Sequence, residues 1–517
     1  MNRRLRTLSL LTVTLLVASF AVSQVQRSVR GTDGPTVLSR SDSLYHQARH
    51  MDAVHALDEE IAEHPEDPIL LFNRGVAAQL AGQGGDRIWF ERSLVFDPEA
   101  AHTRWKLGEA LTREGNLDSG EVHLAKAVQI DPAYFEARVA LGRNLRLQGR
   151  VDEAIRVIEQ TITPKRTYPY SYIELAACHF QENRLRTAAD ILEEGRDRFP
   201  YEQVLIELIR MYGVLEDSAG LHDVGEQYLT FYPIGPNREE VLQILDAKIP
   251  SVPFDADTVY KNIAYPDDYE VYDPAEILPV NKRLHYDVRY SLLKLGDLTV
   301  DVREGIYKGK PSWRIQYIAR TAPGLPFITV NDTFRAYVHH DIRHTQWLEM
   351  RYREKDYTSH TVYDADYQTG WFSERTIEGD GHWYYIEHPI PPNTFDATSM
   401  LWYSQQLVVQ ETGGVSTNEI SGGFEHTIIN YKGPDGSKSF GDETYDVVHV
   451  DGMLKYSGMV GLTGDYKGWF MQDSPFWPLV GKFKIFLGSI TIRYDHAGDT
   501  PMPAGPSFVE YPPETGS

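Results

Sequence analysis

Cysteine is almost absent from this chain, with Cys178 the single example in 517 residues. One thiol excludes any disulfide within the chain, and for an exported protein of this size that fits a bacterial periplasm better than a eukaryotic extracellular space. Cys178 follows Ala176 and Ala177 in a helical pattern. We therefore expect a small buried hydrophobic residue, with a reactive thiol as the alternative.

Basic charge is also scarce. Lys and Arg number 51 against 74 Asp and Glu, which gives a net charge of −23. Because phosphate groups require a basic surface, neither nucleic acid nor an anionic lipid surface is expected as the main partner. Solubility accounts for the acidic excess without any further function.

Long apolar runs are confined to the first residues of the chain. The run from Leu8 to Val22 follows a start with three arginines, and Ala21-Val22-Ser23 offers a cleavage site of small residues. This pattern predicts a signal peptide over residues 1–23, with an uncleaved N-terminal anchor as the alternative. The predicted location is the bacterial periplasm or cell envelope, and membrane association is expected only through this segment if it stays uncleaved.

The common catalytic motifs are missing as well. The sequence contains no Gly-x-Ser-x-Gly elbow, no His-Glu-x-x-His zinc motif, no phosphate-binding glycine loop and no dinucleotide fingerprint. The nearest metal candidates are His339, His340, Asp341 and His344, but neighbouring residues of a strand point to opposite faces. We therefore predict no catalytic residue, no cofactor and no metal ligand.

What the first half does contain is a regular spacing of prolines. Pro65, Pro98 and Pro132 lie 33 and 34 residues apart, Pro200 follows after 68 residues, and Pro233 after another 33. A period of about 34 residues with a proline closing each unit is typical of stacked helix–turn–helix repeats.

Small residues recur inside these units at the positions where two helices would cross, as in Leu107-Gly108 and Leu141-Gly142. Residues 40–245, with about six units, resemble tetratricopeptide (TPR) repeats. The resemblance implies a superhelix that binds protein partners and whose concave face is lined by the first helix of each unit.

The usual concave positions of this family correspond to a set of candidate peptide-binding residues in this chain. They are His102, Trp105, Glu109, Arg113, Glu136, Arg143, Arg146 and Tyr170. The Lys and Asn set with which some family members clamp a C-terminal carboxylate is not present at matching offsets. Three interpretations stay open: solvated helix faces, a groove for a partner peptide, or a face that docks the second half of this chain.

The pattern changes near Ile249. The stretch over residues 246–280 is rich in proline, acids and tyrosine, which predicts an extended linker. Over residues 281–497, apolar and polar residues alternate, which predicts nine or more antiparallel strands and one helix, near Asp396–Val409. Residues 498–517 are predicted to form a proline-rich tail. The predicted fold is a TPR-like α-solenoid followed by an antiparallel β half-barrel or barrel-like domain with one inserted helix.

Aromatic residues occupy many of the inward positions of these strands. Tyr286, Tyr290, Trp313, Tyr317 and Trp402 are the candidates for an apolar groove that holds an acyl chain or a similar ligand. The alternative is that they fill the core.

The second half also resembles a known family. Leu284–Leu295, the entry Pro391–Asp396 to the helix, and Trp469–Pro478 before a last strand are similar to the bacterial domain of unknown function 3108, over residues 280–497. This resemblance implies an envelope location and a mostly antiparallel, curved sheet, but no reaction.

Together these patterns predict a non-enzymatic scaffold or binding protein of the cell envelope. Its repeats would bind protein partners, and its β domain an apolar or elongated ligand such as a lipid or a partner segment. One alternative is an enzyme that processes envelope glycans or peptides through an unrecognised carboxylate or His site. Another is a structural assembly factor without a small ligand.

Overall fold

The computed structural model describes the greater part of the chain. The described residues are 38–162, 168–232, 235–245, 277–325, 330–340, 345–353, 358–367, 369–391, 394–396, 398–419, 424–440, 442–454, 464–485, 488–501 and 508–510. The predicted signal peptide, nearly all of the predicted linker and most of the predicted tail lie outside them.

The contacts divide the chain into two compact units. The helical unit comprises Pro35–Pro253 together with the short stretch Asp380–Tyr385. The sheet unit contains Phe254–Gly379 and Ile386–Ser517. The domain boundaries drawn from the sequence stay a prediction.

The described part of the helical unit consists of α-helices joined by short turns. They are α1 (Arg40–His46), α2 (His50–Glu63), α3 (Pro68–Leu80), α4 (Asp86–Phe96), α5 (Ala101–Arg113), α6 (Leu117–Ile130), α7 (Phe135–Leu147), α8 (Val151–Ile158), α9 (Pro169–Gln181), α10 (Leu185–Arg198), α11 (Glu202–Val214), α12 (Ser218–Phe231) and α13 (Arg238–Ile244). Each odd-numbered helix up to α11 packs against the next, and α13 packs against α12.

Glycine allows the two helices of a repeat to cross closely. A Cβ on Gly142 of α7 would lie 2.3 Å from Cγ1 of Ile158 on α8, and one on Gly108 of α5 would lie 2.5 Å from Cγ of Leu124 on α6. No real Cβ occupies such a space, so the side chain of one helix packs directly on the glycine backbone of the other. The small residues noted in the sequence therefore lie at the helix crossings.

Side chains cap two of the helices that carry the site described below, α1 and α3. Ser39 and Asp42 form a reciprocal capping box at the start of α1, and Asp67 accepts hydrogen bonds from the N–H groups of Ile69 and Leu70 at the start of α3. Such caps stabilise a helix by about 1 kcal/mol each. They fix where α1 and α3 begin.

The sheet unit is built from strands that mostly pair in an antiparallel manner. They are β1 (Lys282–Tyr290), β2 (Leu293–Tyr307), β3 (Lys310–Thr321), β4 (Asn331–His339), β5 (Thr345–Arg353), β6 (Thr358–Asp366), β7 (Trp371–Glu378), β8 (Trp383–Pro389), β9 (Thr394–Phe395), β10 (Gly414–Glu419), β11 (Phe424–Phe440), β12 (Glu443–Leu454), β13 (Gly464–Met471), β14 (Pro478–Ile485), β15 (Gly488–Tyr494), β16 (Thr500–Pro501) and β17 (Phe508–Glu510). Of these described strands, only β8 has residues that group with the helical unit, namely its first three, Trp383–Tyr385.

Two antiparallel meanders meet at β1. One runs from β1 through β2 to β7, and the other runs from β10 through β11 to β15, which pairs with the opposite edge of β1. Over the described strands the sheet is not closed. The predicted order of a helical array followed by an antiparallel β domain is confirmed.

One helix, α14 (Ser399–Val409), packs against the sheet. Asp396 precedes it and accepts hydrogen bonds from the N–H groups of Thr398 (2.6 Å) and Ser399 (3.3 Å). The helix thus begins three residues after Asp396, which satisfies its first amides in the way expected of a cap. Among the described helices, none has both the length and the hydropathy to cross a bilayer.

Candidate functional site

Asp380–Tyr385 is the stretch that groups with the helical unit, although its sequence follows β7. Its sequence is Asp-Gly-His-Trp-Tyr-Tyr, and we call it the inserted segment. It contacts a surface made by the first helices of the first three repeats, and we call this surface the groove. The groove residues discussed below are Asp42, Tyr45, Ile69, Phe72, Asn73, His102 and Tyr134.

Asn73 of α3 binds the main chain of the inserted segment in both directions. Its Nδ2 donates a hydrogen bond to the carbonyl oxygen of Gly381 at 2.9 Å, and its Oδ1 accepts one from the N–H of Trp383 at 3.0 Å. Asn73 is 3 % exposed, so both halves of its carboxamide are paired away from water. This contact recognises main-chain groups on either side of His382, next to a bend at Gly381.

Trp383 contacts α1 through both its ring face and its ring nitrogen. Its ring stacks on Tyr45, with centroids 4.2 Å apart and planes 10° from parallel, and its Nε1 donates to Oδ1 of Asp42 at 2.7 Å. The hydroxyl of Tyr45 donates to the carbonyl oxygen of Tyr384 at 2.6 Å. A hydrogen bond to a carboxylate is stronger than one between neutral groups, so this indole is held firmly.

His382 lies between two rings of the groove. Phe72 meets it edge to face at 4.8 Å, and His102 of α5 stacks on it at 5.6 Å. Within the segment, Nδ1 of His382 lies 3.0 Å from Oδ1 of Asp380, and its backbone N–H donates to the same oxygen at 3.1 Å. The carboxylate therefore orients the imidazole inside the groove.

The ionisable groups here have shifted pKa values. Burial and, to a lesser extent, the charge of His382 lower the pKa of His102 to about 4, while Asp380 acts in the opposite direction. Burial alone would raise the pKa of Asp380, but the hydrogen bonds and charge of His382 lower it to about 2. His102 is therefore neutral and Asp380 ionised at neutral pH.

Two tyrosines continue the groove toward the fourth and fifth repeats. Burial, with the nearby Glu136, raises the pKa of both Tyr134 and Tyr168, and Tyr384 of the segment contributes to each shift. Their hydroxyls therefore stay protonated at neutral pH. The ring of Tyr134 packs 5.0 Å from His102.

Of the predicted concave residues on α5, His102 contacts the inserted segment. The others have partners within the array: Trp105 is buried under the Nζ of Lys106 at 3.9 Å, Glu109 pairs with Lys106 at 3.4 Å, and Arg113 with Asp86 at 3.3 Å. These contacts give no sign of a ligand and leave the predicted role of Trp105, Glu109 and Arg113 a prediction.

The predicted residues further along the array are Glu136, Arg143, Arg146 and Tyr170. Glu136 is buried, and Glu174 of α9 pairs with Arg146 at 3.0 Å and with Arg143 at 3.4 Å. Arg143 remains largely exposed, and Tyr170 is 39 % exposed. This part of the groove presents accessible side chains, and its role in peptide binding stays a prediction.

The sequence reasoning missed Tyr45, Phe72, Asn73 and the inserted segment. Ile69 of α3 occupies the repeat position that His102 occupies in α5, one period of 33 residues later. Extending the concave positions to this earlier repeat would have placed Phe72 and Asn73 beside them. Nothing local in the sequence marks the inserted segment, because its contacts lie some 300 residues away.

The five aromatic residues proposed for an apolar groove lie in the sheet unit. Tyr286, Trp313, Tyr317 and Trp402 belong to one buried cluster between the strands and α14, each at most 5 % exposed, and Tyr290 is half-buried near the end of β1. A core filled in this way was the alternative in the sequence analysis. Their role as ligand contacts stays a prediction.

The sheet unit also contains an open pocket of about 470 Å³. It is lined by residues that include Lys282, Tyr445, Trp477, Tyr494 and His496, and by none of the five predicted groove residues. Lys282 covers the Trp477 ring at 4.6 Å and pairs with Asp499 at 2.9 Å. The cationic and aromatic groups at this pocket already have partners within the chain.

A second cluster of ionisable groups lies on β4, β5 and β6. Glu349 is 6 % exposed and pairs with Arg351 at 2.6 Å, His360 at 2.7 Å and Arg335 at 3.6 Å. Burial alone would raise the pKa of Glu349, but the hydrogen bond from His360 and these positive charges lower it to about 2. Such a carboxylate is a very weak base, which is the opposite of what general acid–base catalysis needs.

The histidine-rich stretch can be followed in part. His339 is buried, and His340 stacks on Trp313 at 3.7 Å, while Asp341 and His344 lie outside the described residues. Within the part of the chain that is described, no group of three or more His, Cys, Asp or Glu side chains could hold a metal ion. Cys178 is fully buried, and burial raises the pKa of its thiol to about 11.

Several solved structures are similar to the first half of the chain. PilW, described as a widely conserved type IV pilus biogenesis factor, is 16% identical, covers 39% of this chain and 94% of its own, and has a TM-score of 0.35. A tetratricopeptide repeat protein from Parabacteroides merdae is 15% identical, covers 40% of this chain and 80% of its own, and has a TM-score of 0.34. PilF of Pseudomonas aeruginosa is 18% identical, covers 39% of this chain and 93% of its own, and has a TM-score of 0.31. No curated protein matches the chain.

Family models match both halves. Two models described as tetratricopeptide repeat match residues 38–85, which include α1 and α3 of the groove, and residues 111–170. A model described as protein of unknown function (DUF3108) matches residues 285–495, from β1 to the end of β15. The chain therefore joins an N-terminal tetratricopeptide repeat array to a C-terminal DUF3108 domain.

Proposed function

We propose that this protein is a non-enzymatic scaffold of the bacterial cell envelope whose repeat array holds extended polypeptide segments in its groove. The repeats make it a protein-interaction scaffold, and the proposal adds the location and the kind of ligand. One observation carries it. The carboxamide of Asn73 pairs with the main chain of the inserted segment on both sides of His382.

Backbone recognition of this kind suits a scaffold. An asparagine that pairs with a carbonyl and an N–H of a peptide main chain holds that chain by groups that peptides carry in common. Each such hydrogen bond adds about 1 kcal/mol, and the buried rings beside it supply the remaining affinity. The groove thus has the chemistry to bind a peptide and no group placed to cleave one.

Location rests on the N-terminal sequence and on the lack of disulfides. The basic start, the apolar run and the small residues of 1–23 support export. Cell fractionation with an antibody to the C-terminal half tests this directly. Recovery in the cytosolic fraction at full length would contradict the envelope location while leaving the groove unaffected.

Photo-crosslinking in growing cells tests the scaffold role. A benzophenone amino acid replaces Arg143 or Tyr170, which are exposed where the groove continues, and in the matched control it replaces Val122, which is 65 % exposed on a second helix. We expect discrete protein adducts from positions 143 and 170 and none from 122. Equal labelling at all three positions, or none at any, would count against a partner in the groove.

A lipid or other apolar ligand in the sheet unit remains an expectation from the sequence. The aromatic residues that prompted it pack into a core cluster. Native mass spectrometry of gently purified protein tests it through a retained lipid-sized mass. The Glu349 cluster gives the enzyme alternative little support, because a carboxylate with a pKa of about 2 is too weak a base for general acid–base catalysis.

A further inference from the structure

We propose that the inserted segment is a resident copy of the motif that partners present to the groove. The motif is a peptide that carries glycine, a flat ring and tryptophan in succession and bends at the glycine. This inference rests on the proposed function and adds to it the sequence class of the partner. It also implies that the first three repeats are occupied in cis until the segment leaves.

The first position requires glycine. Gly381 has a φ of +94°, a conformation that other residues adopt only with strain, and a Cβ there would approach Cγ2 of Ile69 to 3.2 Å. Its carbonyl oxygen accepts the hydrogen bond from Asn73. A larger residue would both strain the backbone and press against α3.

The second position requires a flat ring. The imidazole of His382 is 9 % exposed and lies between the edge of Phe72 and the face of His102. Two aromatic walls favour a planar side chain over an aliphatic one of the same size. A phenyl or imidazole ring meets this condition.

The third position selects tryptophan among aromatic residues. Trp383 is 2 % exposed and uses the full width of its indole, with one face on Tyr45 and its Nε1 donating to Asp42. Phenylalanine would leave that oxygen of Asp42 without its donor. Asp42 is only partly buried, but it would lose a hydrogen bond to its carboxylate, so the groove should prefer tryptophan over phenylalanine by about tenfold.

Covalent attachment makes the resident copy a strong competitor. A segment tethered to its own binding site acts at an effective concentration on the order of millimolar. A free peptide with the same motif therefore binds the wild-type chain weakly, and binds well only where the segment has been dislodged. We therefore predict that the affinity for the free peptide rises as the inserted segment occupies the groove less often.

The test uses full-length protein and a fluorescein-labelled peptide with the sequence of residues 378–387. Gly381→Val dislodges the segment. Gly309→Val is the matched control, because Gly309 has a φ of +77° and open space around its Cβ position. A double variant, His382→Ser with Trp383→Ser, dislodges the segment by another route. Hydrogen–deuterium exchange over residues 380–385 reports release, and circular dichroism reports that each variant is folded.

We expect peptide affinity to rise at least about tenfold in Gly381→Val and in the double variant, and to stay unchanged in Gly309→Val. Adding Asn73→Asp to either release variant should return its affinity for the peptide to the wild-type level. A peptide that carries Trp383→Phe should bind the release variants only as weakly as the unaltered peptide binds the wild-type chain. Unchanged affinity in folded variants with a released segment would overturn the inference. If those variants still crosslink partners from positions 143 and 170, the proposed function stands and this motif assignment fails alone.

Discussion

The indole of Trp383 stacks on the ring of Tyr45 at 4.2 Å, while the hydroxyl of Tyr45 bonds to the next carbonyl along the chain. One residue of α1 thus holds the segment by a ring face and by its main chain. The contact between Trp383 and Tyr45 combines apolar burial with a neighbouring hydrogen bond. Substitutions at Trp383 therefore test how much the segment stabilises the helical unit.

Replacing Trp383 separates these two contributions. Trp383→Ala removes a fully buried ring and should destabilise the helical unit by about 3–5 kcal/mol. Trp383→Phe keeps a ring on Tyr45 but loses the bond to Asp42, and should cost about 1–2 kcal/mol. Thermal unfolding followed by circular dichroism at 222 nm measures both. Equal losses for the two variants would show that the ring contact with Tyr45 contributes nothing beyond the indole N–H bond.

Asn73→Ala should loosen the segment more than it loosens the array. We expect faster hydrogen exchange over residues 380–385 with only a modest fall in melting temperature, because two hydrogen bonds to the segment are lost. The matched control is Asn144→Ala, since Asn144 is also a buried helical asparagine but bonds to Thr112 and Leu117. Its variant should lower stability and leave exchange at the segment unchanged. Identical exchange patterns in both variants would contradict the assignment.

Acid should weaken the groove through His102. Its pKa is about 4 when folded and about 6.5 when unfolded, so between pH 6.5 and 4 the unfolded chain binds a proton that the folded chain does not. Stability therefore falls as the pH drops through this window, by about 3 kcal/mol, and levels off below pH 4. The groups that face His102 are His382, Asp380, Lys106 and Tyr134, and Asp380 stays ionised throughout because its pKa is about 2.

The pH effect is measured by unfolding at several pH values and by exchange at the segment. His102→Phe keeps a ring against His382 without a titrating group and should flatten the dependence. His222→Gln alters a histidine that is 60 % exposed and should leave it unchanged. A His102→Phe variant with the wild-type slope would exclude His102 as the source.

The close helix crossings predict opposite effects for two glycines. Gly142→Ala places a methyl group 2.3 Å from Ile158 and should destabilise the array by about 1–3 kcal/mol. Gly213→Ala, in α11, has no neighbour nearer than 3.9 Å and should stabilise it by about 0.5–1 kcal/mol through helix propensity. Chemical denaturation compares them. A destabilised Gly213→Ala variant would mean that helix propensity does not control that site.

Glu349 predicts a second acid-sensitive step, in the sheet unit. Its pKa is about 2 when folded and about 4.5 when unfolded, so it contributes stability above pH 4.5 that is lost as the pH falls toward 2. Glu349→Gln should remove this dependence and cost about 2 kcal/mol at neutral pH, because Arg335 and His360 lose their partner. Asp465→Asn breaks an exposed pair at 3.9 Å and should change nothing measurable. Equal losses of stability in Glu349→Gln and Asp465→Asn would show that the burial of Glu349 does not affect its contribution.

Much of the fold was accessible from the sequence because it is periodic. The 34-residue spacing that includes Pro98 and Pro132 predicts paired helices, and the alternation in β1 predicts a strand with one buried face. The site was accessible only in part. His102 follows from the repeat position, whereas the bond between Asn73 and Gly381 joins residues 308 apart in the chain and leaves no local pattern. Contacts of that range depend on the tertiary structure, so single residues do not signal them.

Because Asp380–Tyr385 completes the helical unit, that unit is discontinuous in sequence. A fragment that ends at α13 would therefore lack six of its residues and present Tyr45, Phe72 and Asn73 to solvent. Such a fragment should self-associate or bind apolar surfaces indiscriminately, and its interaction partners would differ from those of the intact chain. Any partner screen with the isolated repeats should include a synthetic hexapeptide with the sequence of Asp380–Tyr385, which would occupy the exposed groove.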